Sequence, residues 1–441
     1  MCSWEGCALP NPPRREGEGE TRFPRMFTSG TCMEKPLVAR RRGLIALLAI
    51  TFLMYAGFFM VIPLVSVYYV EYLGFAATLV GLALATRQLL QQGFTLVGGV
   101  LADHFGVRGL IGAGVLVRAV GFISLAWANS PGLLFVAMVL SALGGALFEA
   151  PSRAAIAALT QEAERARFYS IVGVISGLGM TVGPLVGALL LRLNFQAVAL
   201  GAAACFGLVF LLVLLLLPPI RVATERLSPG SGLNLVWHDR TFLVFTALTM
   251  GYWFMWVQIT LSLPLAAERL TGNPETVGVV YALNAGMTVL LQYPVLRFAE
   301  RLLRILPIMI IGMALMALGL GAVAAADTLG FLLGCVAIFT LGSILATPAQ
   351  QSITASLADP RALGSYFGVN ALALAFGGAL GNLAGGALTD AARRVGQPAL
   401  PWLTLALLGL GSAIGLAMLA EHLQRRRSTA HLVIATQPKQ P

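Results

Sequence analysis

The sequence predicts an all-α membrane protein with twelve transmembrane helices in two pseudo-symmetric six-helix bundles. One apolar run follows another along the chain, each near the roughly 20 residues that carry a helix across a hydrocarbon core. The composition agrees, at 58% hydrophobic and 11% charged, against about 25% charged in soluble domains. Arginines gather on alternate connections between the runs, the pattern by which a spanning chain marks one side of the bilayer. An internal repeat near half the chain length then divides the runs six and six.

Residues 1–42 are polar, rich in Gly, Pro and charge, and lack the apolar core of a cleavable signal. A disordered cytoplasmic tail is expected there, with Met26 and Met33 as candidate starts ahead of Arg40, Arg41 and Arg42. Spans are expected at 43–68, 77–101, 109–127, 132–150, 168–191 and 196–217, and again at 242–265, 276–296, 305–325, 329–347, 365–388 and 401–420. All are read as helices, since a backbone facing lipid must satisfy its own hydrogen bonds. The N-terminal bundle is then 43–217 and the C-terminal bundle 242–420. Between them 218–241, which contains Ser228-Pro229-Gly230-Ser231-Gly232, reads as a cytoplasmic linker, and 421–441 as a basic cytoplasmic tail.

Inner connections hold Arg108, Arg153, Arg165, Arg167, Arg221, Arg226, Arg240, Arg297, Arg301, Arg304, Arg361 and Arg425 to Arg427. Opposite loops hold little more than Glu71, Arg192, Glu268, Arg269, Glu275, Asp327, Asp390, Arg393 and Arg394. This asymmetry predicts a multi-pass protein of the cell inner membrane with both termini cytoplasmic. It also accounts for the net charge of +10 without nucleic acid as a partner.

The repeat is visible residue by residue. A shift of 198 lays Gly132 on Gly330, Leu143-Gly144 on Leu341-Gly342, Leu159 on Leu357, and Gly179, Gly183 and Gly187 on Gly377, Gly381 and Gly385. A shift of 197 lays Val80-Gly81 on Val277-Gly278 and Ala102-Asp103 on Ala299-Glu300.

Soluble catalytic classes find no support. The five cysteines (Cys2, Cys7, Cys32, Cys205, Cys335) form no C-x-x-C pair, and His104, His238, His422 and His431 are scattered, so no metal site is expected. Glycine strings such as Gly177-Leu178-Gly179 lie inside apolar helices rather than after a strand, and no Walker lysine, H-E-x-x-H pair or nucleophile elbow occurs. Neither an enzyme nor a cofactor is expected.

Two motifs carry a resemblance. The connection after the second span reads Gly99-Val100-Leu101-Ala102-Asp103-His104-Phe105-Gly106-Val107-Arg108. It closely resembles the G-x-L-A-D-R-x-G-R-R/K signature of the major facilitator superfamily. There Gly99 permits close helix packing, Gly106 a tight turn, and Asp103 is an acid at the membrane edge able to pair with an arginine or a helix N-terminus. The resemblance implies a conformational latch made of Gly99, Asp103, Gly106 and Arg108; His104 and Val107 depart from the usual basic residues. In the fifth span Gly179-Met180-Thr181-Val182-Gly183-Pro184-Leu185-Val186-Gly187 resembles the g-x-x-x-G-P-x-x-G pattern of the antiporter branch. Glycines four apart share one helix face and admit a close neighbour, and Pro184 removes a backbone hydrogen bond.

Gly57 to Leu64, Arg87 to Gly93, Ser356 to Asp359 and Gly364 to Tyr366 extend the resemblance, over about residues 43–420, to the bacterial MdtH-type multidrug-resistance branch. It implies a secondary active transporter, a monomer in the lipid bilayer, exporting amphipathic small molecules against protons by alternating access. A transporter of a defined metabolite, peptide fragment or lysolipid is the alternative, and a transport-inactive membrane sensor a third reading. The fourth-span arginine of many proton-coupled exporters is absent, with Leu140 near its place, and the first span holds no acid. The proton carrier therefore does not transfer from the family.

Ionisable residues inside spans cost at least ~2.5–3.5 kcal/mol near a helix centre, so each is expected to face a cavity or a partner. They are Arg87, Arg118 and Glu149. Arg87 and Arg118 are either helix-packing ion-pair partners or substrate and coupling groups; Gln91 shares the polar face of Arg87. Glu149 is either the structural partner of Arg153 one turn on or the proton-coupling group. In the C-terminal half Gln258 and Asn284 are the polar residues expected in a cavity, near the adaptable Met and aromatic run Gly251 to Val257.

Overall fold

The computed structural model describes residues 34–218, 229–359 and 362–436. Most of the tail at 1–42 and part of the linker at 218–241 lie outside the described residues, as do the side chains at 96–100 and 102–105.

The first half comprises α1 (Glu34–Val67), α2 (Ala77–Phe105), α3 (Val107–Ala126), α4 (Pro131–Leu159), α5 (Glu162–Leu191) and α6 (Phe195–Leu216). After α7 (Pro229–His238) come α8 (Arg240–Trp256), α9 (Ser262–Thr271), α10 (Thr276–Leu302), α11 (Ile305–Ala322), α12 (Leu329–Leu357), α13 (Leu363–Leu372), α14 (Gly378–Val395) and α15 (Leu400–Thr436). Among the described residues eleven helical stretches are long and apolar enough to cross a membrane. The twelfth span is α2, whose apolar face is interrupted by Arg87, Gln88, Gln91 and Gln92.

Four stretches differ from the expected elements. α1 begins at Glu34, inside the stretch expected as a disordered tail, and Arg40 ties it down by donating to the Leu159 carbonyl at 2.7 Å and to Glu164 at 2.6 Å. The linker contains the helix α7, which sets Val236 into the core. The seventh span is not continuous: α8 gives way to a 3₁₀ turn at Val257–Ile259 before α9 starts. Pro264 has no N–H to offer the Thr260 carbonyl four residues earlier, and Ser66 Oγ of α1 donates to that carbonyl at 3.3 Å. The eleventh span is interrupted as well, by a π turn at Ala373–Gly377.

The repeat governs packing. α3 lies on α4 and α6, α1 on α5 and α6, and α2 on α4; α11 lies on α12 and α15, α8 on α14 and α15, and α10 on α12. The contact points repeat too. A side chain on Gly179, Gly183 or Gly187 would strike Phe52, Ala56 or Met60 of α1, and one on Gly377, Gly381 or Gly385 would strike Met250 or Phe254 of α8 or Gln258 in the turn that follows it. Each partner is displaced by the same 198 residues as its glycine. Helix starts follow suit: Ser130 accepts from Leu133 N to cap α4, and Thr328 from Phe331 N to cap α12.

The halves meet chiefly along two helix pairs, α2 with α14 and α5 with α10, with α1 also against α9. At the first, Gly386 lets α14 approach the backbone of Ala77 and Thr78; at the second, Gly278 faces Ala188 of α5. Asp390 of α14 accepts from Ala77 N (3.0 Å), Thr78 N (2.7 Å) and Thr78 Oγ1 (2.6 Å), capping α2 from the other half. Arg192 grips both Glu275 oxygens, at 2.8 and 3.0 Å. Glu71 accepts from Arg269 at 2.9 Å and from Arg393 at 2.6 Å. Ser66 and Thr260 add a further inter-half hydrogen bond, and the ion pairs Arg192–Glu275, Arg269–Glu71 and Arg393–Glu71 sit on the face away from the termini.

Candidate functional site

A cavity of about 240 Å³ lies between the halves. On α1 the turn-by-turn spacing of Met54, Tyr55, Phe58, Phe59 and Ile62 gives one aromatic and apolar wall. On α2 the same spacing aligns Leu84, Arg87, Gln88, Gln91 and Gln92, so the polar residues of that span share one face. α3 adds Arg118, α4 Gly145, Phe148 and Glu149, and α5 Met180. The other half closes the far side with Trp253, Trp256, Val257, Thr260, Leu374 and Asn382. Both helix interruptions border this space, through Val257 and Leu374. Such irregular turns in a span are tolerated where they line a cavity or are buried in protein.

The two arginines converge on one ring. The guanidinium carbons of Arg87 and Arg118 lie 4.9 and 4.7 Å from the centroid of Phe58, and Arg118 is also 5.4 Å from that of Phe206. Arg87 donates to Gln91 Oε1 at 2.8 Å and to Gln88 Oε1 at 3.0 Å. Gly145 makes room for this cluster, since a side chain there would collide with the Gln91 amide and the Arg118 Nη1. Both arginines are buried, at 7% and 5% exposure, and the Nε of each is unpartnered among the described residues.

Glu149 accepts from Arg153 Nη2 at 2.7 Å, the i,i+4 pair expected from the spacing. It nevertheless lines the cavity and is close enough to act electrostatically on both buried arginines.

Other expected site residues sit elsewhere. Gln258 is fully buried and outside the cavity: its amide nitrogen donates to the Phe254 and Gly381 carbonyls and its oxygen accepts from Ser262, so it binds the broken seventh span to α14. Asn284 donates to Thr340 at 2.9 Å and ties α10 to α12. Asn382 is the C-half amide at the cavity, with its oxygen buried and unpartnered. Its sequence signal was its register, for it stands 198 residues after Pro184 and follows Gly381 as Pro184 follows Gly183.

In the fifth-span motif, Gly179, Gly183 and Gly187 face α1 in their own half, while the Pro184 carbonyl lies beside Gly278 of α10. In the loop motif, Gly106 joins α2 to α3 at φ +77°, a conformation that favours glycine, and Arg108 Nη2 donates to the Leu214 carbonyl near the end of α6. Gly99 and Asp103 fall within α2, and their side chains lie outside the described residues.

The sequence model of the Major Facilitator Superfamily matches residues 47–382 and 250–432. "Multidrug resistance protein MdtH" of Edwardsiella ictaluri is 41% identical over 86% of this chain and 94% of its own length. The MdtH of Photorhabdus laumondii is 40% identical over 84% and 93%. The chain belongs to the Major Facilitator Superfamily, in its MdtH-type branch. It is thus a multi-pass membrane transporter rather than an enzyme. Solved structures of the superfamily share the fold at low identity. A peptide transporter POT bound to sulfate gives a TM-score of 0.74 at 17% identity, covering 87% of this chain and 95% of its own. A bacterial homologue of the human lysosomal transporter Spinster, in an inward-facing and unoccupied conformation, gives 0.71 at 16%, covering 87% and 96%.

Proposed function

We propose that this transporter exports amphipathic small molecules of the drug type against protons, by rocking its two halves around the inter-half cavity. One observation carries the reading: a cavity with both apolar and charged walls is shared between halves that are tied by ion pairs at a single face. A ligand there touches both halves, so binding differentially stabilises one arrangement over another, which is what alternating access requires. The relatives' multidrug-resistance names support the substrate class.

With the termini in the cytoplasm of an inner-membrane protein, the tied face is the outer one, and the cavity communicates with the cytoplasm. Opening the outer face requires the Asp390, Arg192 and Glu71 contacts to part. The motif of Gly99, Asp103, Gly106 and Arg108 would then latch the inner face. Glu149 is the proton carrier in this reading, because it is the one carboxylate among the cavity's described residues.

Purified protein in liposomes with an imposed pH gradient tests this. Dyes, antibiotics and lysolipids are screened for flux, and gradient-dependent movement of several amphipathic compounds is the expected result. Flux of one metabolite alone, or flux indifferent to the gradient, would refute the reading.

A further inference from the structure

Charge around the cavity does not balance. Two guanidiniums, Arg87 and Arg118, face it from α2 and α3, and the one carboxylate beside them, Glu149, is already bonded to Arg153. No described carboxylate is within ion-pair distance of either arginine. Phe58 offers both cations its π face, which offsets part of their desolvation. A ring face, however, is only a weak acceptor for an N–H, and both Nε atoms are buried without a hydrogen-bond partner among the described residues. Buried cations in a membrane span are expected to be paired. Among the described residues no anionic partner for them is free.

The opposite wall has another character. Trp253 and Trp256 stand edge to face with ring centroids 5.6 Å apart, near Val257 and Leu374, and Asn382 is the lone amide. At the positions the repeat assigns to Arg118 and Glu149, the C-terminal half carries Met316 and Thr347, so the charge is confined to one side.

We propose that Arg118 and Arg87, the latter held by Gln91, bind the head group of an amphipathic organic anion whose apolar body lies against Trp253 and Trp256. Guanidinium forks match a carboxylate geometrically and form charge-assisted hydrogen bonds with it. The aromatic wall then receives the body without specifying its shape. This rests on the cavity being the substrate site, and it narrows the substrate class from amphipaths in general to anions and zwitterions that present an anionic end.

The test is equilibrium dialysis of the full chain in phosphatidylcholine nanodiscs, with no gradient, so that a failure of proton-coupled export leaves it unaffected. The probes are 2-naphthoate, its neutral amide and 2-naphthylmethylammonium, which share one ring system. Naphthoate is expected to bind at least roughly tenfold more tightly than the amide, as a hydrogen bond to a charged group warrants, with the ammonium weakest. Arg118→Met and Arg87→Gln should each remove most of that preference while leaving amide affinity in place, and Arg118→Lys should keep it. Should Arg118→Met fail to fold, the wild-type series and the Lys variant decide. Equal binding of amide and naphthoate, or preference for the ammonium, overturns the proposal. So does loss of naphthoate affinity when phosphatidylglycerol is added to the disc, which would assign the cluster to a lipid head group.

Discussion

In the first half α3 meets α4 where Gly114 and Gly121 approach Gly144 and Ser141; in the second, α11 meets α12 where Gly312 and Gly319 approach Gly342 and Phe339. The crossing points are 198 residues apart throughout, yet beside Gly144 the chain carries Arg118, and beside Gly342 it carries Met316. Likewise Arg87 faces the cavity, whereas Asn284, its counterpart at a shift of 197, is bonded to Thr340. Thr347, the counterpart of Glu149, is bonded to Tyr252 at 2.6 Å. Backbone approach is thus held constant between the halves, and side-chain chemistry is free to diverge on top of it. At these matched positions the second half uses its polar groups to bind helix to helix, whereas the first leaves them facing the cavity.

The shared skeleton is the part most sensitive to change. An added Cβ alone at Gly183 would stand 2.5 Å from the Ala56 carbonyl oxygen, and at Gly381 2.5 Å from that of Phe254. Backbone cannot yield as a flexible side chain can, so Gly183→Leu and Gly381→Leu should each cost ~3 kcal/mol or more, beyond the usual range for overpacking. Size-exclusion profiles and melting temperatures in detergent report the loss. Tolerance at one site with collapse at the other would break the equivalence of the halves.

Exchanging the divergent residues sharpens the same comparison. Met316 is fully buried, so Met316→Arg should destabilise by at least ~2.5–3.5 kcal/mol, the cost of a charge inside a span. Arg118→Met should leave the melting temperature equal or higher while reducing transport, because it removes a buried cation from a position whose twin already accepts Met. A stability loss at Arg118→Met as large as at Met316→Arg would mean that Arg118 is structural.

The skeleton was legible in the sequence, and the divergence was legible only in part. Apolar runs and glycines four apart specify spans and small-residue faces, and both survive translation into packing: Gly179, Gly183 and Gly187 form one face against α1. Polarity inside a span is ambiguous, however, because a polar group can satisfy itself on a neighbouring helix as readily as in a cavity. Gln258 and Asn284 took the first course, and Arg87 and Arg118 line the cavity. The break at Val257–Ile259 was hidden for a similar reason, since Pro264 alone does not reveal that Ser66 from the other half donates to the Thr260 carbonyl it leaves free. Contacts between halves, such as Asp390 on α2, have no local signature at all.

Those contacts form the next comparison, between a partly buried cap and an exposed ion pair. Asp390 satisfies the first N–H groups of α2 with a charged acceptor, so Asp390→Asn should weaken the tied face by ~1 kcal/mol. Arg192 and Glu275 are 60% and 39% exposed, and Arg192→Gln should cost less, since solvent screens an exposed pair. Spin labels placed at the exposed positions Tyr72 and Val395 would read the opening as a shift toward longer distances, larger for Asp390→Asn. The reverse order would make the ion pairs, rather than the cap, the principal tie.

The smallest stability effect is expected at Glu149, and that makes it the most discriminating site for coupling. Its bond to Arg153 is an i,i+4 pair whose partner is 69% exposed, and such pairs contribute only ~0.3–0.5 kcal/mol to a helix. Glu149→Gln keeps the size and hydrogen-bonding capacity of the side chain and removes the ability to carry a proton. If the carboxylate serves only α4, the variant should melt within about a degree of the wild type, since a few tenths of a kcal/mol shift Tm by little in a protein of this size, and its flux should still follow the pH gradient. If it carries the proton, stability should be just as unaffected, while gradient-driven flux is lost and passive exchange of substrate persists. Because the two readings agree on stability and differ on flux, a single reconstituted sample decides between them. Unchanged gradient-driven flux in Glu149→Gln would remove this carboxylate from coupling and leave the first half's cavity chemistry to its two arginines.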